Sequence, residues 1–236
     1  MKILMLLNRD VYCVKALRLL LPFLKNHEVS FLFSRKVGNL RDVPCELLKI
    51  KEVEGFGVEE DLQEIARNFG YRFDFVDDIN CSAQVEELRK MPPQLIISIR
   101  FGQILREQII KIPQFGVVNL HSGILPKYRG VMASFWAILK GERWIGTTLH
   151  YIEDSKIDTG KVIAISRREV NFAASLIENI LALYEVGCAD IIEFLKKVEN
   201  GKKIELLEQK DLGDSAYYSY PAQEDLEKCA KLIGLI

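Results

Sequence analysis

Residues 116–130 read GVVNLHSGILPKYRG, an apolar run that ends in a polar pair and then turns. Gly116, Val117 and Val118 open as a strand, while Ser122, Gly123, Pro126 and Gly130 carry turn chemistry. Asn119 and His121 therefore fall where strand becomes loop. Side chains two apart on a strand point to the same side. An amide and an imidazole are thus aimed together at the carboxyl edge of a sheet, where open α/β folds place their ligands.

On the N-terminal side, short apolar runs (KILMLL, EVSFLF, CELLKI, YRFDFV, QLIISI) alternate with helix-period segments over 11–25, 58–69 and 83–90. Such alternation predicts βαβ units and an α/β, Rossmann-like core with a mostly parallel twisted sheet. The first strand leads into NRDVYCV, which lacks the glycines of a dinucleotide-binding turn, so the fold class does not carry NAD with it. On the C-terminal side, ASFWAILKG predicts a short helix stopped at Gly141, and TTLHYI and KVIAISRREV predict strands flanking the acidic loop EDSKIDTG. Residues 174–199 have the spacing of one long amphipathic helix. Residues 202–236 hold KIELLE, a turn at Gly213, the aromatic AYYSYP and a closing helix near 223–233. The expected organisation is a catalytic unit over 1–200 and a tail over 201–236. In the tail, KIELLE and AYYSYP form a β-hairpin that serves as a dimer contact.

The 236 residues are 49% hydrophobic, enough for a sizeable core, and 32 basic residues nearly cancel 33 acidic ones for a net charge of -1. That balance asks for neither nucleic acid nor an anionic membrane. The opening MKILMLL is interrupted by Asn8, Arg9 and Asp10 too early for a signal peptide or membrane span, and it reads as a buried strand. Five scattered cysteines without a C-x-x-C pair point away from a disulfide framework or a zinc site, so a cytoplasmic protein without a metal is expected.

Three histidines limit the candidates for proton chemistry near neutral pH. His27 lies in the polar turn KNHE and reads as solvated, and His150, within TTLHYI, reads as a hydrogen-bonded strand residue. His121 shares its strand edge with Asn119. Acyl transfer to a nitrogen nucleophile needs an oxyanion donor, a group that manages a proton, and a carboxylate that orients that group. Asn119 offers the first and His121 the second. The loop EDSKIDTG is the best source of the third: Asp158 precedes Thr159 and Gly160 just before a strand, while Glu153 and Asp154 lie farther from it.

The run NLHSGILPKYRG, followed by FWAILKGERWIGTTLH and DSKIDTGKVI, resembles the signature of the folate-dependent formyltransferase family. The resemblance extends over roughly 94–170 and includes IISIRFGQIL. It implies 10-formyltetrahydrofolate as donor, with Asn119, His121 and Asp158 as the catalytic trio. It further implies a pterin wall of Phe101, Gln103, Ile104 and Leu105, completed by the 154–158 loop with Asp154. Where this chain has HSGILP the family more often has H-P-S-L-L-P, so Ser122 and Gly123 alter the loop after the histidine.

Within that family, the glycinamide ribonucleotide branch requires a glycine-rich phosphate loop after the first strand, which NRDVYCV does not supply. Methionyl-tRNA formyltransferases continue into a basic domain, and neither the tail nor the net charge of -1 matches that expectation. YYSYPAQEDL is similar to the ending of the sugar N-formyltransferases. The expected acceptor is therefore a nucleotide-linked amino sugar, such as a dTDP-linked 4-amino-4,6-dideoxyhexose, used in surface polysaccharide synthesis of the O-antigen kind. Lys127, Tyr128 and Arg129 form a basic aromatic loop suited to its pyrophosphate. Two alternatives are a methionyl-tRNA formyltransferase-like enzyme without the basic domain and a binding domain without turnover. The second is disfavoured by the presence of all three trio residues.

Overall fold

The protein is described here by a computed structural model covering residues 1–35 and 43–236. Strand β1 (Lys2–Leu7) lies near the middle of a seven-stranded sheet. Helix α1 (Val11–Leu24) follows it, and β2 (Glu28–Ser34) returns parallel beside it. Helices α2 (Cys45–Gly55) and α3 (Val58–Phe69) lead to β3 (Phe73–Val76) at the sheet edge. The chain then crosses through α4 (Ser82–Lys90) to β4 (Leu95–Ile99), on the other side of β1. A short α5 (Glu107–Ile110) precedes β5 (Val117–His121). After the two-residue β6 (Arg129–Gly130) and helix α6 (Ala133–Leu139), strands β7 (Trp144–Tyr151) and β8 (Val162–Glu169) complete the sheet antiparallel. Helix α7 (Leu176–Glu199), β9 (Tyr217–Tyr218) and α8 (Gln223–Ala230) close the chain.

The sheet order is β3-β2-β1-β4-β5-β7-β8, parallel through β5. It reverses direction of growth between β1 and β4, the kind of switch point at which open α/β sheets form a crevice. Both faces are covered, and β1 shows how. Ile3, Met5 and Leu7 join the core that includes α1 and α7, whereas Leu4 and Leu6 join Val85, Leu88 and Ile109 on the opposite face. The α/β class and the mostly parallel sheet expected from the alternation are as found.

Three local expectations need correction. CELLKI is not a strand but the first half of α2, where Leu47, Ile50 and Glu54 are buried at helical spacing and Pro44 occupies the N-cap. The six-residue run hid a period that continues through KEVEG. His27 is not solvated: its side chain is 4% exposed, with Nε2 3.2 Å from Glu199 at the end of α7, and burial lowers its pKa below the ordinary value. KIELLE and AYYSYP do not pair with each other. Leu207 makes an isolated antiparallel bridge to Val162 at the start of β8, while β9 pairs parallel with β6. The hairpin fails because each half finds a partner on the core of the same chain. Tyr218 stacks on Tyr128 and Trp136, with ring centroids 5.6 and 5.3 Å apart.

All five cysteines are free, with Cys13, Cys188 and Cys229 buried and Cys45 and Cys81 exposed. Among the described residues, no helix is long and apolar enough to cross a membrane.

Candidate active site

Strand β5 runs through His121, so Asn119 and His121 project from the same face at its carboxyl end. The antiparallel register sets Asn119 opposite His150 and His121 opposite Thr148. Asn119 Nδ2 lies 3.1 Å from His150 Nε2, and His150 Nδ1 lies 2.9 Å from the Tyr151 carbonyl oxygen. Since a carbonyl only accepts, His150 Nδ1 carries the hydrogen and Nε2 is left to accept from the asparagine. His121 obeys the same logic. Its Nε2 is 2.7 Å from the Tyr128 carbonyl oxygen and must donate, which leaves Nδ1 facing Asp158 Oδ2 at 3.5 Å.

Asp158 reaches this point from the loop between β7 and β8. Its backbone adopts φ 54, in the left-handed region uncommon for a residue with a side chain. Oδ2 accepts from the Gly130 N–H at 2.9 Å, and Oδ1 lies 3.4 Å from His150 Nε2. Burial pushes the carboxyl up. The positive charges of His121 and His150 in their protonated forms, the hydrogen bond that a protonated His150 donates and the Gly130 N–H outweigh it and hold Asp158 well below the usual carboxylate range. The expected trio is therefore brought together around one ionised carboxylate, with His150 as a fourth member.

These groups open on a cavity of about 550 Å³, within the range that encloses a cofactor-sized ligand. One wall is the segment after β4, where Phe101, Gln103, Ile104 and Leu105 all line the space, and Asp154 lines it from the β7–β8 loop. Gln103 does so by its position rather than by a free amide. Its Nε2 donates to Ser34 Oγ at 2.9 Å and its Oε1 accepts from Ile79 N at 2.8 Å, which fixes the wall to the ends of β2 and β3. Leu105 is buried, and its carbonyl accepts from Ser155 Oγ at 3.1 Å, joining the two loops; Ile104 is exposed. Asp154 Oδ1 accepts from Lys156 N at 2.8 Å and so shapes its own turn.

Lys127, Tyr128 and Arg129 do not line the cavity. Lys127 Nζ and Tyr128 OH both donate to Glu142 Oε1, at 2.5 and 2.8 Å, and the Tyr128 ring is buried. Arg129 donates from Nε to the Ile157 carbonyl at 3.1 Å and from Nη1 to Ser215 Oγ at 3.2 Å. The loop is thus tied internally on both sides. Its contribution at the site is made by backbone: the Tyr128 carbonyl to His121 and the Gly130 N–H to Asp158.

Lys51, Glu54 and Arg100 also line the cavity, and none of them is among the residues expected from the sequence. Arg100, also in a left-handed conformation at φ 55, places Nε 2.7 Å from Asp10 Oδ2 and Nη2 3.6 Å from Glu54 Oε2. Lys51 Nζ pairs with the same Glu54 oxygen at 2.6 Å, Tyr12 OH donates to Glu54 Oε1 at 3.1 Å, and Arg100 stacks over the Tyr12 ring at 4.3 Å. The signal was present in IISIR, where a full charge ends a wholly buried strand, and in the aspartate of NRD. Asp10 caps α1 by accepting from Cys13 N at 2.9 Å, which places a carboxylate where a phosphate-binding turn would leave the helix end open. His150 was read as a satisfied strand histidine. Its register opposite Asn119 follows from strand pairing, which no single segment displays.

Comparison with known proteins agrees with this geometry. Residues 77–179 match the model of the formyl transferase family. A methionyl-tRNA formyltransferase of Caldanaerobacter subterraneus is 33% identical over 138 residues, 57% of this chain and 42% of the relative. The match thus spans about two-fifths of that protein's length. An N-formyltransferase from Helicobacter canadensis, solved with folinic acid and dTDP-3-aminofucose, superposes with a TM-score of 0.64 at 23% identity, covering 95% of this chain and 72% of that one. Glycinamide ribonucleotide transformylase 1 from Symbiobacterium toebii superposes with a TM-score of 0.64 at 16% identity, covering 88% of this chain and 95% of that one. At these identities the two structures attest the fold, and the segment that builds the Asn119, His121 and Asp158 cluster lies within residues 77–179, which match the formyl transferase family model.

Proposed function

We propose that the chain moves a formyl group from 10-formyltetrahydrofolate to a primary amine. The observation that carries this reading is the cluster of Asn119, His121 and Asp158 lining one cavity, within the matched segment. The wall of Phe101, Leu105 and Ile152 offers apolar surface to a flat pterin ring, with backbone groups of 101–105 and 154–158 at its edge.

In the reaction the amine nitrogen bonds to the formyl carbon, the carbonyl electrons move to oxygen, the bond to the folate nitrogen breaks, and the proton lost by the amine is balanced by one gained by that nitrogen. Asn119 spends one amide hydrogen on His150 and has a second for the developing oxyanion. His121, with its hydrogen on Nε2, presents Nδ1 as base. Once protonated, Nδ1 gains a hydrogen-bond partner in Asp158, whose carboxylate is already ionised. This pairing favours the base role for His121 over oxyanion donation.

The acceptor we favour is a nucleotide-linked amino sugar. The net charge of -1 and the YYSYPAQEDL segment, whose Tyr217, Ser219 and Tyr220 line the cavity, support it. Methionyl-tRNA is the second reading, favoured by the curated relatives over the catalytic segment. Mass spectrometry decides between them after incubation with 10-formyltetrahydrofolate and either a panel of dTDP-, UDP- and GDP-linked amino sugars or methionyl-tRNA. Formylation of a sugar alone is the expected result, and formylation of the tRNA alone reverses the assignment. A two-fold dimer through the tail also belongs to this reading, because Leu206 and Leu207 remain 41% and 48% exposed. Light scattering that gives a monomer at micromolar concentration ends that part of it.

A further inference from the structure

The C-terminal tail touches the catalytic carboxylate's loop from two directions. Gln209 sits where the Val162–Leu207 bridge delivers it, with both backbone hydrogen bonds of the bridge at 2.9 Å. Its Nε2 donates to the Asp158 carbonyl at 2.9 Å and to the Gly160 carbonyl at 2.8 Å, so both amide hydrogens are spent on the turn that holds Asp158 at φ 54. From the other side, the Ala216 and Tyr218 carbonyls accept from Arg129 N and Val131 N, each at 3.0 Å. Gly130, between them, is left with its N–H directed at Asp158 Oδ2. Gly130 has φ 93, and a Cβ there would lie 2.2 Å from the Tyr218 carbonyl oxygen, so strand and tail approach as closely as a glycine allows.

We infer that residues 209–218 form a positioning element of the formyl-transfer site, with Gln209 as its key side chain: it fixes the backbone of Asp158 while β9 fixes the N–H that holds the Asp158 carboxylate. This rests on the reading of Asp158 as the partner of His121. Asp158 holds its left-handed backbone directly after the exposed stretch 153–156, so the turn needs support from outside that stretch. A side-chain amide bridging two carbonyls supplies that support, and an error of about an ångström in such a group costs on the order of a hundredfold in rate.

The test compares Gln209→Met, which keeps the volume and removes both donors, with Gln209→Lys, which keeps a donor. In the full-length protein, Gln209→Met should lower kcat about ten- to a hundredfold with KM for both substrates within about threefold, and Gln209→Lys should retain most of the turnover. Hydrogen exchange read by mass spectrometry should rise over residues 156–160 and at Gly130 in Gln209→Met, with melting temperature within a few degrees of wild type. Unchanged exchange in Gln209→Met overturns the inference, and so does an equal loss in both variants, which would make volume rather than donation the cause. If the wild-type chain transfers no formyl group, the function proposed above fails, and the exchange measurement still decides whether Gln209 holds the turn.

Discussion

The imidazole Nε2 of His121 lies 2.7 Å from the backbone oxygen of Tyr128, seven residues along the chain. That single hydrogen bond fixes the tautomer and closes the loop 122–128 over the histidine. It works only because Gly123 has no side chain: a Cβ there would lie 2.5 Å from His121 Nε2 and 2.8 Å from the Tyr128 oxygen.

Gly123→Ala should therefore push the imidazole off its carbonyl. The expected outcome is a fall in kcat of about tenfold or more, with folate affinity nearly unchanged because the wall we propose for the pterin lies on another loop. Steady-state kinetics with a binding titration check it. Wild-type turnover in this variant would mean that the His121–Tyr128 bond has no part in the reaction.

Asp158 links the site to acid stability. Its folded pKa is depressed, so the stability it contributes is present above the unfolded value, near 3.9, and is lost as pH falls through the folded value. Between about pH 5 and pH 3 the stability advantage of wild type over Asp158→Asn should shrink, as read from urea unfolding at each pH. A difference that stays constant over that range would contradict the depressed pKa.

Arg100 is the cation between Asp10 and Glu54, all three side chains less than one-fifth exposed. Removing one member of a buried ion cluster typically costs about 3–5 kcal/mol because the partners keep their charge without compensation. Arg100→Met should be destabilised by that order in denaturant unfolding, and Asp10→Asn combined with it should recover part of the loss. A change below about 1 kcal/mol would show that Lys51 and solvent suffice for the two carboxylates.

The sequence revealed some of these relationships and hid others, and the division has a physical basis. Continuous apolar runs, helical spacing and glycine stops are local, so KILMLL, QLIISI, the Gly141 stop and the 174–199 helix stand in the structure as read. The polar pair at 119 and 121 was visible because its two members share one strand. His150 was not, because its role comes from the antiparallel register of β5 and β7. The Arg100 cluster joins β4, α2 and the start of α1, three segments whose meeting depends on sheet order. The tail hairpin was a reasonable local pairing, but both strands had longer-range partners: Val162 for Leu207 and β6 for β9. Lys127, Tyr128 and Arg129 looked free as a basic loop, and only the fold shows Glu142, Ile157 and Ser215 engaging them.

The central claim is that His121 handles the proton of the attacking amine, and turnover of His121→Asn tests it most directly. With 10-formyltetrahydrofolate and an acceptor that the wild-type protein formylates, the variant should fold with a melting temperature within a few degrees of wild type. It should also turn over at about a hundredth of the wild-type rate or less. Retention of more than about a tenth of that rate, a deficit under about 1.4 kcal/mol, would contradict the account.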